Sequence, residues 1–267
     1  MTTPEALSPL IGPNPGVTFA TALVYANLAA AAGLLVVLAA RIPVRRVVGP
    51  QVAYTLWALP LLAVGGALAL LAGQAPEQRL AVPAPGLAVT VVWGLGAALA
   101  AGVFAVAQAR FVVQLRRGLG GPAVVGLISP RIVMPADDGR YTPEERELIR
   151  AHERQHIARK DTRAVAFLAL ARCLFWYNPV IHLAAGALRL DQELACDAGV
   201  VLSRPGARAL YARTLLKTQL GGAPMPLGCY WSALGPHPLE VRVALLKRRV
   251  GGGRGGAVGV QVDAIRP

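Results

Sequence analysis

Residues 147–161, with the sequence ELIRAHERQHIARKD, contain two of the protein's four histidines. His152 and His156 are four residues apart, and Glu153 directly follows the first of them. On an α-helix, residues four apart lie one turn from each other on the same face, so both imidazoles can reach one metal ion. Glu153 lies beside that face, where its carboxylate can accept a proton from a water molecule. This HExxH pattern predicts a hydrolytic zinc site.

The residues upstream of this motif predict the elements that position it. Thr142 can cap a helix, Pro143 suits its first position, and Glu145 completes a capping box. We therefore expect a helix from Pro143 through His156. Before it, the β-branched run at 121–135 predicts a short edge strand or hairpin that can pair with an extended peptide.

Two histidines leave a catalytic zinc site one protein ligand short. The segment LRLDQELACDAGVVL supplies candidate carboxylates, because Glu193 lies downstream of the histidines and Asp197 follows it by one helical turn. One helix can therefore direct both carboxylates toward one ion. Cys196 is a further ligand candidate, although buried packing is the more common role of such a cysteine.

These motifs in combination resemble the BlaR/MecR-type membrane zinc metallopeptidases, whose pattern is HExxH, NP and ExxCD. HERQH is followed by Asp161, then by the pair Asn178 and Pro179, and then by ELACD. The similarity is close over residues 121–201 and looser at HPLEVRVALL. The resemblance implies a gluzincin-like core with Zn²⁺ as its cofactor.

The resemblance also implies the role of each site residue. His152, His156 and Glu193 would bind zinc, and Glu153 would be the general base. Asp197 would not bind the metal itself but would hydrogen-bond a histidine ligand. An alternative for Asp197 is a surface carboxylate paired with a nearby arginine.

Three other polar residues are assigned structural roles. Asp161 follows His156 by five residues and points about 140° away from it on an ideal helix, so we expect a capping or ion-pair role. His182 and His237 have no ligand-like spacing and are expected to be structural.

Long uncharged segments place the N-terminal part of the chain in a membrane. Hydrophobic residues make up 55% of the chain and charged residues only 15%, with a mean hydropathy of +0.50. Residues 17–40, 52–72 and 87–109 each reach the length of about 20 residues that a helix needs to cross the hydrocarbon core. We therefore expect three transmembrane helices.

Arginines predict the orientation of these spans, because positively charged loops stay in the cytoplasm. The arginines that follow the first and third spans are Arg41, Arg45, Arg46, Arg110, Arg116 and Arg117. Arg79 alone falls in the loop between the second and third spans. This places the N-terminus outside and everything after Arg110 in the cytoplasm. The net charge of +13 then reflects topology and attraction to anionic lipid rather than nucleic-acid binding.

The cytoplasmic placement also bears on the cysteines and on residues 163–188. Cys173, Cys196 and Cys229 are expected to be free thiols in a reducing compartment.

Residues 163–188 are apolar and could suggest a further span. Both ligand motifs must lie on the same side of the membrane, so the chain between them would have to cross twice, which requires about 40 residues. We expect a helical hairpin bent at Asn178 that packs on the spans or dips into one leaflet.

The complete prediction is a mainly α-helical, multi-pass protein of the inner (plasma) membrane. Residues 1–117 form a three-span membrane domain, residues 118–250 a cytoplasmic zinc peptidase domain, and residues 251–267 a flexible glycine-rich tail. The family resemblance implies a metalloendopeptidase whose substrate is a protein such as a cytoplasmic transcriptional repressor. We find no S-x-x-K motif and no further apolar run long enough to span a membrane after Val201, so we expect no penicillin-binding sensor domain. Regulation is then expected to act through a separate partner, through substrate availability or through the bilayer.

Two other classes of function remain open. One is a membrane quality-control or prenyl-protein protease, which additional spans between the ligand motifs would indicate. The other is a membrane signalling or interaction protein with a structural zinc site. Glu153 argues against the second, because a structural site does not use a base beside an open metal position.

Overall fold

The computed structural model describes residues 15–74, 85–118, 121–134, 137–220 and 238–247. Within these ranges the chain forms nine α-helices and one two-stranded sheet. The predicted tail at 251–267 lies outside the described residues, as do Arg79, Cys229 and His237.

Three long apolar segments form the membrane part. The first is helix α1 (Pro15–Val47), and the third is helix α4 (Leu87–Arg116). The second consists of α2 (Pro50–Thr55), a short 3₁₀ turn and α3 (Leu59–Gly73). Each is long and apolar enough to cross a membrane. The prediction of three spans is therefore confirmed by length and composition.

The α-helix of the second segment is interrupted by a 3₁₀ turn at Leu56–Ala58, just before Pro60. Proline lacks an amide proton and clashes with the preceding helical turn, so it disfavours a continuous α-helix there. α1 packs closely against this proline, since a Cβ added at Gly33 would lie 2.9 Å from Cα of Pro60. Gly33 therefore permits the close approach of α1 and α3.

The predicted hairpin and capped helix follow the third span. Strands β1 (Ala123–Val125) and β2 (Arg131–Val133) pair antiparallel, with Val124 opposite Ile132. Helix α5 (Pro143–Ala158) begins with the capping box predicted from the sequence. The hairpin contacts α5, the helix that carries the HExxH motif.

Helices α6 (Asp161–Leu174) and α7 (Pro179–Ser203) form the predicted helical hairpin. The turn between them is fixed by Asn178, whose side-chain oxygen accepts a hydrogen bond of 2.9 Å from the Val180 amide. The Nδ2 of Asn178 donates a 2.7 Å hydrogen bond to the side-chain oxygen of Asn27 on α1. None of the candidate spans lies within this hairpin.

Contacts along α7 show that it runs parallel to α1. Asn178 at its start meets Asn27, and Asp191 farther along accepts hydrogen bonds from Arg41 and Arg45, each 3.1 Å long. The two intervals are 14 residues on α1 and 13 on α7, or about 20 Å in each case. The turn at Asn178 therefore lies deep beside the first span, far from its arginine-rich end.

The third span holds the same turn from another side. Nε1 of Trp93 donates to the carbonyl of Leu174 at 3.0 Å, and Nε1 of Trp176 donates to the carbonyl of Trp93 at 3.2 Å. A Cβ at Gly96 would overlap the Trp176 ring, so this glycine makes room for the indole. The α6–α7 turn thus lies between α1 and α4 and forms hydrogen bonds with both.

The remaining described helices are α8 (Arg208–Leu220) and α9 (Pro238–Lys247). A hydrophobic core joins them to α5 and α7, and it includes Leu148, Ala151, Val200, Val201, Tyr211, Leu215 and Leu246. This core determines which faces of α5, α7, α8 and α9 are buried near His152.

Candidate metal centre

Helix α5 presents the HExxH residues to the protein interior. The Thr142 side chain accepts a 3.3 Å hydrogen bond from the Glu145 amide, and Glu145 Oε2 accepts a 2.9 Å bond from the Thr142 amide. These reciprocal bonds satisfy amides at the helix start that have no partner within the helix. His152 is only 9% exposed and Glu153 only 6% exposed, so both belong to the buried face of α5.

Helix α7 brings Glu193 to the two histidines. Nε2 of His152 lies 3.3 Å from Nε2 of His156 and 3.3 Å from Oε2 of Glu193. Nε2 of His156 lies 3.6 Å from Oε1 of Glu193. Two ligands bound about 2.1 Å from a tetrahedral zinc stand about 3.4 Å apart. The three side chains therefore have the spacing of three zinc ligands.

Asp161 orients His156 from outside this triangle. Nδ1 of His156 lies 2.7 Å from Oδ2 of Asp161, which can only accept if ionised, so Nδ1 carries the proton. In the neutral imidazole this leaves Nε2 with a free lone pair that faces the other two ligands. Arg159 also donates to Oδ2 of Asp161, over 2.6 Å.

The prediction that Asp161 points away from His156 is therefore wrong, whereas its predicted ion pair is present. Helix α5 ends at Ala158, and Lys160 has a left-handed φ of 58°. Asp161 is thus the first residue of α6 rather than a continuation of α5. The turn at Lys160 brings the Asp161 carboxylate back to the His156 ring.

Tyr211 on α8 performs the equivalent task for His152. Its hydroxyl donates to Oδ1 of Asp197 at 2.6 Å, and its oxygen lies 2.8 Å from Nδ1 of His152. Since the hydroxyl proton is directed at Asp197, the oxygen accepts from Nδ1 of the histidine. Asp197 itself lies 3.4 Å from Nδ1 and is completely buried, not a surface carboxylate.

Arg242 on α9 pairs with two carboxylates of α7, the buried Asp197 and the partly exposed Glu193. Its Nε lies 2.8 Å from Oδ2 of Asp197, and its Nη1 lies 2.8 Å from Oε2 of Glu193. The side chain is 5% exposed, so the ion pairs are shielded from water. A planar guanidinium can engage both carboxylates at once, which an ammonium group cannot do in the same way.

Cys196 is the other candidate for a third ligand. Its sulfur can be grouped with ligand atoms of His152 and His156, all within 4.8 Å of one another. However, its 3.4 Å contact with His156 is made to Nδ1, the nitrogen that Asp161 also engages. Arg159 donates to the same sulfur at 2.9 Å. Cys196 therefore lies on the outer side of His156. Cys173 and Cys196 are free thiols, as predicted.

The carboxylates of the site differ in their electrostatic environment. Burial raises the pKa of Glu153, and the nearby histidines oppose that effect only in part. Burial acts in the same direction on Glu193, but Arg242 and the two histidines outweigh it and hold the pKa of Glu193 well below its ordinary value. Glu193 is therefore an anion, whereas Glu153 binds a proton more readily than an ordinary glutamate.

Sequence reasoning missed Tyr211 and Arg242. Arg242 falls within HPLEVRVALL, so a weak signal for it was present in the looser part of the family resemblance. Tyr211 lies in a basic amphipathic segment whose pattern indicates only a surface helix.

The described fold combines three candidate membrane spans with a candidate metal centre on α5 and α7. The sequence model of the family described as BlaR1 peptidase M56 matches residues 94–246, which is more than half of the chain. The chain belongs to this family, and the resemblance seen in the sequence is confirmed. The regulatory protein BlaR1 of Bacillus licheniformis is 30% identical over 80 residues, which are 30% of this chain and 13% of that protein. The chain thus matches a small part of that relative's length. No solved structure matches significantly.

Proposed function

We propose that this protein is a zinc metalloendopeptidase that cleaves a protein substrate at the cytoplasmic face of the membrane. The observation that carries the proposal is the convergence of three acceptor groups, with nearest atoms 3.3 to 3.6 Å apart: Nε2 of His152, Nε2 of His156 and the carboxylate of Glu193. With both Nδ1 protons directed outward, these lone pairs repel one another unless a cation or a proton lies among them. Two imidazoles and one carboxylate in this arrangement are a donor set typical of catalytic zinc.

In this proposal, His152, His156 and Glu193 hold the zinc, and Asp161 and Tyr211 fix the two imidazoles through their Nδ1 protons. Zinc would supply Lewis-acid polarisation of the scissile carbonyl and would make water a stronger acid. Glu153 would accept the proton of the attacking water and deliver it to the leaving amine. Its burial suits the second step, because a carboxyl group with a raised pKa keeps a proton long enough to transfer it.

The substrate would reach the site in an extended conformation. The β1–β2 hairpin lies against α5, and its loop exposes Leu127 and Ile128, which are 50% and 86% exposed. A strand edge beside a metal centre can pair with a peptide backbone. A cytoplasmic transcriptional repressor is the substrate class that we propose, supported by family membership and by the arginine distribution along the spans.

The absence of a further span between the ligand motifs supports this reading over a quality-control protease. Residues 137–220 are described without a gap, and none of the candidate spans falls between His156 and Glu193. The buried Glu153 likewise supports catalysis over a purely structural zinc site.

The test separates the ligands from the base. Glu153→Gln should keep about one zinc per chain in the detergent-purified protein while abolishing cleavage of peptide substrates. His152→Ala and Glu193→Ala should lose both zinc and cleavage. Cys196→Ala is the matched control on the same helix and should keep both. Full zinc retention in Glu193→Ala, with zinc lost in Cys196→Ala, would replace Glu193 by Cys196 in the ligand set.

A further inference from the structure

The second membrane segment touches the metal centre through Tyr54. This tyrosine lies in α2, within the first turns of the candidate span Pro50–Gly73. Its hydroxyl donates a 2.8 Å hydrogen bond to Oδ1 of Asp161, and Oδ2 of the same carboxylate lies 2.7 Å from Nδ1 of His156. Two hydrogen bonds therefore connect a membrane helix to a proposed metal ligand.

Tyr54 also contacts the other side of the centre. Its hydroxyl oxygen accepts a 3.2 Å hydrogen bond from Nε2 of Gln192, the residue before Glu193 on α7. The guanidinium of Arg159 lies over its ring, 4.9 Å from the centroid, and the same arginine donates to the Gln192 carbonyl at 3.0 Å. Tyr54 thus contacts residues on both sides of the candidate site, beside His156 and beside Glu193.

The contacts of Tyr54 are made to buried residues, so a lost hydrogen bond is not easily replaced. Asp161 and Gln192 are each only 3% exposed, so water cannot replace a lost partner easily. Asp161 needs a donor on each oxygen to keep its plane fixed, and Tyr54 supplies the short one on Oδ1, since Arg159 lies 3.4 Å from that atom. Without the phenol, the carboxylate is free to turn toward Arg159 and away from His156.

We infer that Tyr54 is a positioning residue of the metal centre, through which the second membrane segment sets the orientation of His156. The inference rests on the proposed metal site. Tilt or rotation of this segment against α7 would move the Asp161 carboxylate and with it the imidazole. The membrane part is then a component of the metal centre as well as its anchor.

The test uses Tyr54→Phe in the full-length protein in detergent, with Co²⁺ and Zn²⁺ as the probes. The change removes only the hydroxyl, so the packing of the ring is kept. We expect metal affinity to fall by about tenfold, the lower end of the range for residues that orient ligands. The visible absorption of the cobalt-loaded protein should change in position or intensity, because it reports on ligand geometry.

Trp57→Phe is the matched control. Trp57 also ties the second segment to α7, since its Nε1 donates to Oδ2 of Asp191 at 3.0 Å, and this hydrogen bond does not involve Asp161, Arg159 or Gln192. It should leave metal affinity and the cobalt spectrum as in the unmodified protein. An equal change in both variants would overturn the inference, because it would show only a general loosening of the membrane packing.

A double-mutant cycle tests the route through Asp161. In an Asp161→Asn background, Tyr54→Phe should have little further effect on metal affinity, because the link to His156 is already broken. Full additivity of the two changes would contradict the inference. If Tyr54→Phe does not fold, Gln192→Leu, which frees the orientation of the phenol, should weaken metal binding in the same direction, and unchanged binding would overturn the inference. Failure of the unmodified protein to bind either metal would instead contradict the proposed function.

Discussion

The hydroxyl oxygen of Tyr211 lies 2.8 Å from Nδ1 of His152, and its proton is directed at Asp197 2.6 Å away. Tyr211 thus links the completely buried Asp197 carboxylate to His152, a proposed metal ligand, through two hydrogen bonds. It also fixes the histidine tautomer, since the phenol oxygen can only accept from Nδ1. Nε2 then faces the metal centre.

Tyr211→Phe should therefore lower metal affinity by about 10- to 100-fold, because it removes the acceptor that orients His152. The measurement is a competitive zinc titration with a chromophoric chelator. Tyr141→Phe is the control, since Tyr141 is also buried but packs against Lys217 rather than a histidine. An unchanged zinc affinity in Tyr211→Phe would mean that Asp197 orients His152 unaided.

Proteolysis should fail at mildly acidic pH because of Glu153. The residue acts as a base only when ionised, and burial raises its pKa above the ordinary value of 4.5. As the pH falls through this raised pKa, the ionised fraction falls, and kcat/KM should decrease by about tenfold per pH unit. Zinc content measured at each pH separates this effect from ligand protonation. An acid limb centred below pH 4.5 with zinc retained would contradict the assignment.

Arg242→Met should strongly destabilise the packing of α9 against α7. It removes the cation shared by Asp197 and Glu193 and leaves the completely buried Asp197 without its partner, a loss of about 3 to 5 kcal/mol in comparable buried pairs. The urea midpoint of the helical signal in detergent should fall accordingly. Arg154→Met is the control, because this half-exposed arginine pairs with Glu147 at the surface and should cost less than about 1 kcal/mol. Equal midpoints for the two variants would exclude a stabilising role for the Arg242 cluster.

The turn between α6 and α7 should be shielded by lipid. Tyr177 is 49% exposed on the protein surface, yet it adjoins Asn178, which meets Asn27 deep along the first span. In a cysteine-free background, Tyr177→Cys should resist a membrane-impermeant maleimide in inverted vesicles until detergent is added. Ile128→Cys, at an 86% exposed position of the β-hairpin, should react at once. Equal reaction of both would place the turn in water.

The parts of the site that were predictable are those encoded by local spacing. The HExxH face, the capping box at Thr142 and the bend at Asn178 depend on residues within one or two helical turns, and the structure contains all three features. Asp161 was misplaced because helical periodicity was extended through Lys160, where the backbone turns left-handed. Helix periodicity carries no information about where a helix ends unless a residue such as glycine marks the stop.

The contacts that could not be predicted connect residues far apart in the chain. Tyr54 precedes Asp161 by 107 residues, and Arg242 follows Asp197 by 45. Neither contact has a periodic pattern, because each depends on how separate helices pack in three dimensions. Only the family resemblance at HPLEVRVALL marked Arg242, and nothing in the sequence of the second span distinguishes Tyr54 from a tyrosine at a membrane interface.

Arg41 and Arg45 close the first span and hold Asp191, which precedes Glu193 by only two residues on α7. Arginines at the end of a span lie among the lipid headgroups. The candidate metal centre is then about 3 Å farther along the helix axis, at almost the same height. In the proposed peptidase a folded domain would not reach that depth, so the scissile bond would lie on an extended segment close to the bilayer surface. Substrates tethered to or adsorbed on the membrane would find the centre by a two-dimensional search, and lipid composition would set the rate at which they meet it.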